Sequence, residues 1–577
     1  MAHFRPIVRV RLTNPQSSEP HELDGYWSKI PAGVPVELIA AGSEENEMRD
    51  SLKVSALIAW SIAATLLVTP RVMAQQKSFD VMETSIDKIH AAYKNGTLTC
   101  RQLVQVYLDR IAAYDQSGPK INAIITLNPD ALAEADKLDA AYKKSGFVGP
   151  LHGIPVLVKD QVDAAGMPTT LGSIVFKDYR PPKDSFVVDK LRKAGAVILG
   201  KTTLGEFGGG DTYGSLFGAT RNPYDLERSV GGSSGGSSAG VSANFSTIAV
   251  GEEGFSSIRR PTAWNAVVGM RPTAGLVSRS GMFDGWPETY GSLGPIARNV
   301  RDLAEMLDVM VGYDSEDPET AFGVGHVPAT SYTRFLDANG LKGARIGILR
   351  QSIAGGSDPN SDDFKQVSEV FDSAVTEIKS AGAMVVDPIE IPNARALLSK
   401  RATDPDITEA SSDRYFARNP NSPFKTRADV FHSPDYPKVF PTKLGNFAPP
   451  KPGAKEKYYE YLEAREELMT NVMKVIADNK LDAILIKSVE HQPPLISAGT
   501  NPPYPSAVGA VDLNTYLVYA SVISVPAGFS RDGLPVAVTF FGPPYSEPTM
   551  IKLAYAYEQA THHRNPPKTT PALPGQR

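Results

Sequence analysis

Apolar residues recur at helical spacing from Phe79 to Asn95 and again from Cys100 to Tyr114, where Leu103, Val106, Tyr107 and Ile111 share one face. Gly96 ends the first predicted helix, and Thr97 or Thr99 is placed to cap the second. A third helix, Asn128 to Lys144, is polar outside with Ala and Leu inside. The period then changes. Leu151 to Val158 (LHGIPVLV) is a short, branched apolar run of the kind that forms a buried strand, with Lys159-Asp160 directly after it. Ser185 to Ala194 reads as a helix and Ala196 to Leu199 as a strand. Strands alternating with helices predict an α/β fold built on a sheet.

One apolar run breaks this pattern. Val54 to Val68 (VSALIAWSIAATLLV) follows the charged Met48-Arg49-Asp50-Ser51-Leu52-Lys53, and small residues end at Ala74. Charged, apolar and small-residue regions in that order read as a secretory signal peptide over residues 48–74. The run is shorter than the roughly 20 apolar residues of a membrane span. The expected mature chain therefore begins near Gln75, periplasmic or secreted, with no stable membrane anchor after cleavage. Residues 1–47 are polar and aperiodic, and since a signal peptide starts at the initiator, Met48 is a candidate natural start that the sequence does not settle.

Composition narrows the function classes. The 577 residues are 42% hydrophobic and 21% charged, as in ordinary globular proteins. A net charge of −5 offers no electrostatic case for nucleic acid. The single cysteine, Cys100, excludes an intrachain disulfide and any CxxC metal site. It reads as a small core residue. The nine histidines show no metal-ligand spacing.

The chemistry-bearing stretch is Gly231 to Pro261, GGSSGGSSAGVSANFSTIAVGEEGFSSIRRP. Its Gly/Ser opening fits a flexible linker or a backbone fold that holds hydroxyls in a fixed array. The apolar run Val241 to Val250 favours the array. Two pattern matches are set aside. Gly195 to Thr202 fits GxxxxGK[ST], but its interior Ala-Val-Ile-Leu would itself be a strand with its N–H groups committed. Gly231 to Gly235 fits GxSxG, yet the approach NPYDLERSV is turn-rich and charged, where a nucleophile elbow needs a strand. His326, His432 or His491 could partner such an elbow, so that reading stays second.

Seven segments in one order then carry a resemblance: residues 151–173 (LHGIPVLVKDQVDAAGMPTTLGS), 196–207, 219–225, GGSSGG at 231–236, SSIRRP at 256–261, 267–281 and 294–298. They resemble the amidase signature family, from about Phe79 to Thr561. The resemblance implies a single large α/β/α domain, residues 75–577, around a mixed sheet. It implies a Ser–Ser–Lys triad: Lys159 as base, Ser233 as a bridging serine preceded by a cis peptide, and Ser257 as nucleophile. Ser234 would hold the array by hydrogen bonds. The backbone N–H groups of Gly254, Phe255, Ser256 and Ser257 match the family's oxyanion hole. Arg259 would hold the loop through a carboxylate such as Glu253. A serine hydroxyl is a poor nucleophile until a base takes its proton, and lysine is a base only when burial leaves it neutral.

The chain departs from the family's Gly-Thr-Asp-x-Gly-Gly-Ser. Glu253 replaces Asp, and Phe255-Ser256 replaces Gly-Gly, which puts a bulky residue beside the oxyanion loop. Gln161 stands where Asn is common and Arg271 where Lys is common. The implied activity is hydrolysis of a linear carboxamide through a Ser257 acyl-enzyme, with esters or carbamates also accepted and neither metal nor organic cofactor required. Two alternatives stay open: an ammonia-producing component of a transfer-RNA amidotransferase, and an inactive binding protein that keeps the fold. Trp286 and Tyr290 are candidates for a substrate pocket favouring an apolar or aryl acyl group, though core packing explains such aromatics equally. Residues 401–455, rich in Pro, Asp and Phe, read as a lid or surface insertion. The partner is thus a small-molecule amide. The sequence specifies neither that amide nor an oligomeric state.

Overall fold

An eleven-stranded mixed sheet organises the described part of the chain. Its strands are β1 (Ile124–Leu127), β2 (Pro155–Lys159), β3 (Val197–Thr202), β4 (Ile248–Glu253), β5 (Val268–Arg271), β6 (Ser292–Ala297), β7 (Arg345–Leu349), β8 (Met384–Ile389), β9 (Ala483–Lys487), β10 (Ala520–Phe529) and β11 (Pro535–Pro544). The spatial order is β1-β3-β2-β4-β6-β5-β10-β11-β9-β7-β8. Strands β3, β2 and β4 run parallel to one another, as do β9, β7 and β8. The centre of the sheet, from β4 through β6, β5, β10 and β11 to β9, is antiparallel. This computed structural model describes residues 79–283, 291–499, 509–511 and 513–574. The 1–47 segment, the predicted signal peptide 48–74, and the pocket candidates Trp286 and Tyr290 lie outside the described residues.

Both faces of the sheet are packed, and the strand period shows it. Ile484 and Ile486 join one hydrophobic cluster and Leu485 the other; Val522 and Ile523 divide the same way, as do Phe541 and Phe540. Successive strand residues point to opposite faces, so each strand supplies two cores at once. The helix Ala454–Asp478 covers one face through Tyr461, Leu468 and Val472, while Asp362–Ser380 and Glu547–Thr561 cover the other through Phe371, Ile378 and Leu553. The fold is a layered α/β structure around a mixed sheet, as the family resemblance implies.

Element boundaries follow local chemistry. The second predicted helix, Cys100–Tyr114, is observed with those ends. Thr99 accepts from Gln102 N, and the Gln102 side chain accepts from Thr99 N, a reciprocal capping box. The first helix is shorter than its apolar pattern: it spans Ile86–Lys94, because Ser85 caps it by accepting from Lys88 N. The third runs Ala131–Ser145. Val197, Ile198 and Leu199 of the Ala-Val-Ile-Leu run lie in β3, which extends through Gly200, Lys201 and Thr202, so the phosphate-loop pattern has no free loop. The approach to the Gly/Ser cluster differs from expectation. Asp225–Ser229 is a strand, paired in a small hairpin with Arg221–Asn222 outside the main sheet. Its polar residues sit on a half-exposed ribbon, which is why its charge reads as a turn.

Residues of the 401–455 region belong to a separate apolar cluster. The region's helix Pro405–Arg418 and the segment beyond contribute Tyr415, Phe416, Tyr436 and Phe447, which pack on Phe176, Phe207 and Phe283 of the main body. Asp163, fully buried, anchors it: Tyr415 Oη donates at 2.8 Å and Asn419 Nδ2 at 3.1 Å. Burial pushes the Asp163 carboxyl up to about 6 despite these donors.

Candidate active site

The Gly/Ser cluster is ordered backbone, not a linker. Gly231 has φ +80°, and a Cβ there would meet the Trp264 ring at 2.9 Å and Pro261 Cα at 3.0 Å. A Cβ on Gly232 would meet the Gly210 carbonyl oxygen at 2.4 Å. Only glycine allows that approach. The Gly232–Ser233 peptide is cis. Arg260 donates to the Gly232 carbonyl at 3.1 Å and pairs with Asp211 at 2.7 Å, while Gly205 N donates to the Ser233 carbonyl at 3.0 Å. A helix, Gly235–Ser242, starts immediately after.

The C-terminal end of β2 delivers Lys159 to this loop. Its Nζ donates to Ser233 Oγ at 2.7 Å, and both side chains are fully buried. Parallel β4 ends alongside and leads into the loop that carries Ser257. Ser234 ties the two segments together: its N–H donates to the Ser257 carbonyl at 3.0 Å, its Oγ donates to the Glu252 carbonyl at 3.0 Å, and that Oγ also accepts from Glu252 N at 3.1 Å. Ser257 retains 7% exposure where Ser233 and Lys159 have none, so of the three it is the one a ligand can reach.

Glu253 organises the loop beyond. One carboxylate oxygen accepts from the N–H groups of Ile258 and Arg259, both at 2.8 Å, and the other from Arg259 Nε at 2.8 Å. Arg259 also donates to the Phe255 carbonyl at 2.9 Å. Among the described residues, the backbone N–H groups of Gly254, Phe255, Ser256 and Ser257 make no hydrogen bond. Four unspent donors at one turn form a site for a developing negative charge. The Phe255 ring lies under the Arg401 guanidinium, 4.3 Å from ring centroid to Cζ. Arg271 on β5 donates to the Glu253 carbonyl at 3.4 Å; burial pulls it down to about 10 against the opposing attraction of Glu253.

Breaking the Glu253–Arg259 pair should be costly, because both groups are fully buried. Glu253→Ala would remove the carboxylate that a buried guanidinium and two backbone N–H groups share. A loss of about 3–5 kcal/mol is expected, read as a lowered denaturant midpoint with an unchanged slope. Glu253→Gln should retain part of it. A Glu253→Ala midpoint equal to that of the wild type would remove this structural role.

Glu252 is the residue the sequence does not single out. Its Oε2 lies 2.8 Å from Lys159 Nζ, with both side chains at zero exposure. Two consecutive carboxylates closing an apolar strand are the signal for it, since each must find a cation when the strand is buried. Lys159 therefore faces a carboxyl side chain as well as the Ser233 hydroxyl.

The histidines available to an elbow are committed elsewhere. His491 Nδ1 meets Asp363 at 2.7 Å and its Nε2 meets Asp358 N at 3.1 Å; His326 stacks on Tyr545 at 3.8 Å; His432 Nδ1 meets the Ala428 carbonyl. Among the described residues, no group of three His, Cys, Asp or Glu side chains could hold a metal ion. A cavity of about 440 Å³ lies against the helix Pro405–Arg418, lined by Lys183, Arg279, Glu316, Asp317, Arg414 and Arg418. It contains none of Lys159, Ser233 or Ser257, and its charges pair across it, as in Arg279–Asp317 and Arg418–Glu316.

Known proteins resemble this chain over most of its length. A family model described as Amidase matches residues 102–551. The "probable amidase" of Arabidopsis thaliana is 32% identical over 512 residues, covering 85% of this chain and 92% of the plant protein. A glutamyl-tRNA(Gln) amidotransferase component from a Cyanothece strain is 32% identical over 502 residues, 84% of this chain and 99% of that protein. Among solved structures, the native peptide amidase of Stenotrophomonas maltophilia superposes with a TM-score of 0.72 at 34% identity, covering 84% of this chain and 98% of the other.

Proposed function

The chain belongs to the amidase signature family, and from that premise we propose that it hydrolyses a linear carboxamide to a carboxylic acid and an amine or ammonia. The observation that carries this reading is the 2.7 Å contact between Lys159 Nζ and Ser233 Oγ, beside a loop that presents Ser257 with unspent N–H donors. In the proposed reaction Ser257 Oγ attacks the amide carbon. Its proton passes to Ser233 Oγ, which gives its own proton towards Lys159. The N–H groups of Gly254 to Ser257 hold the oxyanion. The relay then returns a proton to the leaving nitrogen, the C–N bond breaks, and an acyl-Ser257 ester remains. Water enters by the same relay and releases the acid.

The similarity to the glutamyl-tRNA(Gln) amidotransferase component supports a second reading, in which the amide is glutamine and ammonia is handed on. A panel separates the two: a C-terminally amidated peptide, an acyl anilide, a p-nitrophenyl ester and free glutamine, each assayed for acid and amine release by the purified chain. Turnover of the peptide amide or anilide with glutamine left intact is the expected result. Glutamine as the sole substrate turned over would favour the second reading, and a wholly inert protein would favour a binding role.

A further inference from the structure

Among its contacts with described residues, Lys159 meets the side chains of Ser233 and of one other residue, and the reaction above uses only Ser233. The other is the Glu252 carboxylate, 2.8 Å from Nζ in a site with no exposure. An ammonium has three donors and no acceptor, so a Lys159 paired with ionised Glu252 cannot take a proton from Ser233 unless it passes one on. Nζ also donates to the Glu252 carbonyl at 3.3 Å, so backbone and side chain of one residue both face it. The second carboxylate oxygen, Glu252 Oε1, is buried without a hydrogen-bond partner among the described residues.

The geometry points to Glu252 as the terminal proton acceptor of the relay, with Lys159 as the link between it and Ser233. The inference rests on the Ser257–Ser233–Lys159 reading. As the bond from Ser257 Oγ to carbon forms and the carbonyl electron pair moves to oxygen, the Ser257 proton goes to Ser233 Oγ. The Ser233 proton goes to Lys159 Nζ, and one Lys159 proton goes to Glu252 Oε2. Every proton moves along the chain by one place, and the amine that leaves draws one back. Glu252 acts through Lys159. The neighbouring charged groups are already matched: Asp160 with Lys201 at 3.1 Å, and Glu253 with Arg259 at 2.8 Å. Arg271, from β5, adds positive charge next to both glutamates.

The pH profile discriminates this role from that of a counter-ion. If Glu252 takes the proton, the active enzyme carries one proton on the pair, and acid inactivates it by adding a second. The wild-type acid limb of kcat/KM then lies below pH 7, although a lysine is in the relay. Glu252→Gln keeps the shape and removes the acceptor, leaving Lys159 to act only as a free amine. Its acid limb should move up, with kcat at pH 7 down about a hundredfold and KM little changed. If Glu252 merely steadies the ammonium, removing its charge eases deprotonation of Lys159, and the limb moves down. A downward or absent shift, or a wild-type limb at or above pH 7, overturns the inference. Should Glu252→Gln fail to fold by circular dichroism, the wild-type limb decides together with Glu252→Asp. The aspartate should keep the limb at its wild-type position with a lower kcat, and a limb displaced upward overturns the role. The tests of Ser257 and Lys159 argued below separate the failures: if those variants lose activity and Glu252→Gln leaves the limb unmoved, only the role of Glu252 fails.

Discussion

Ser257→Ala should lower kcat on the good amide of the panel by on the order of 10⁴-fold or more, while KM changes little. The hydroxyl it removes is the one the structure leaves reachable, and Ser233, fully buried against Lys159, cannot replace it. Only backbone atoms of Ser257 appear among the contacts that hold the loop, through the Ser234 N–H. The variant should therefore fold as the wild type does. A fluorophosphonate should modify the wild type stoichiometrically, and peptide mass spectrometry should place the adduct on Ser257. Ser233→Ala should also be severely impaired, because it cuts the path between Ser257 and Lys159, yet it should retain a slow reaction with the fluorophosphonate. An adduct on Ser233, with Ser257→Ala still turning over, would restore the nucleophile-elbow reading.

What was legible beforehand divides by the range of the interaction. The helix Cys100–Tyr114 could be read to its ends, since its cap and its apolar stripe are both local. The buried strand at Lys159 could be read only in its second half: the strand is Pro155–Lys159, while 151–153, expected within it, form a turn. The order of the family's motifs pointed to Lys159 and Ser233, which meet although 74 residues separate them. Interactions written in no local period were not legible. The hairpin strand Asp225–Ser229 carries charge on both sides and resembles a turn. The aromatic residues of 401–455 follow no spacing, because they pack on Phe176, Phe207 and Phe283 from distant parts of the chain. Glu252 was hidden by its neighbour. A Glu-Glu pair reads as a polar strand end, and only the three-dimensional structure shows each carboxylate turned to a different buried cation, Lys159 for one and Arg259 for the other.

Lys159→Arg is the sharper test of the relay, and its expected result is a loss of on the order of 10³-fold or more in kcat/KM with the fold retained. Lys159→Ala should lose at least as much activity, but it also abandons the buried Glu252 carboxylate. Breaking a buried pair from one side costs about 3–5 kcal/mol, so part of its deficit would be a deficit of folded protein. Arginine keeps a positive charge facing Glu252 and can still donate to Ser233 Oγ. What it cannot do is accept a proton from that oxygen, because a guanidinium stays protonated at any working pH. A Lys159→Arg protein with a near-wild-type denaturant midpoint and no amide turnover thus locates the defect in proton transfer. Raising the pH should not rescue it, whereas an enzyme limited by ordinary lysine deprotonation recovers as the pH rises. Replacing His326, His432 and His491 in turn should leave the acid limb where it is, since each ring is engaged away from Ser233. A Lys159→Arg enzyme with near-normal kcat/KM, or an acid limb lost with any one histidine, would sink the lysine relay and require a histidine base.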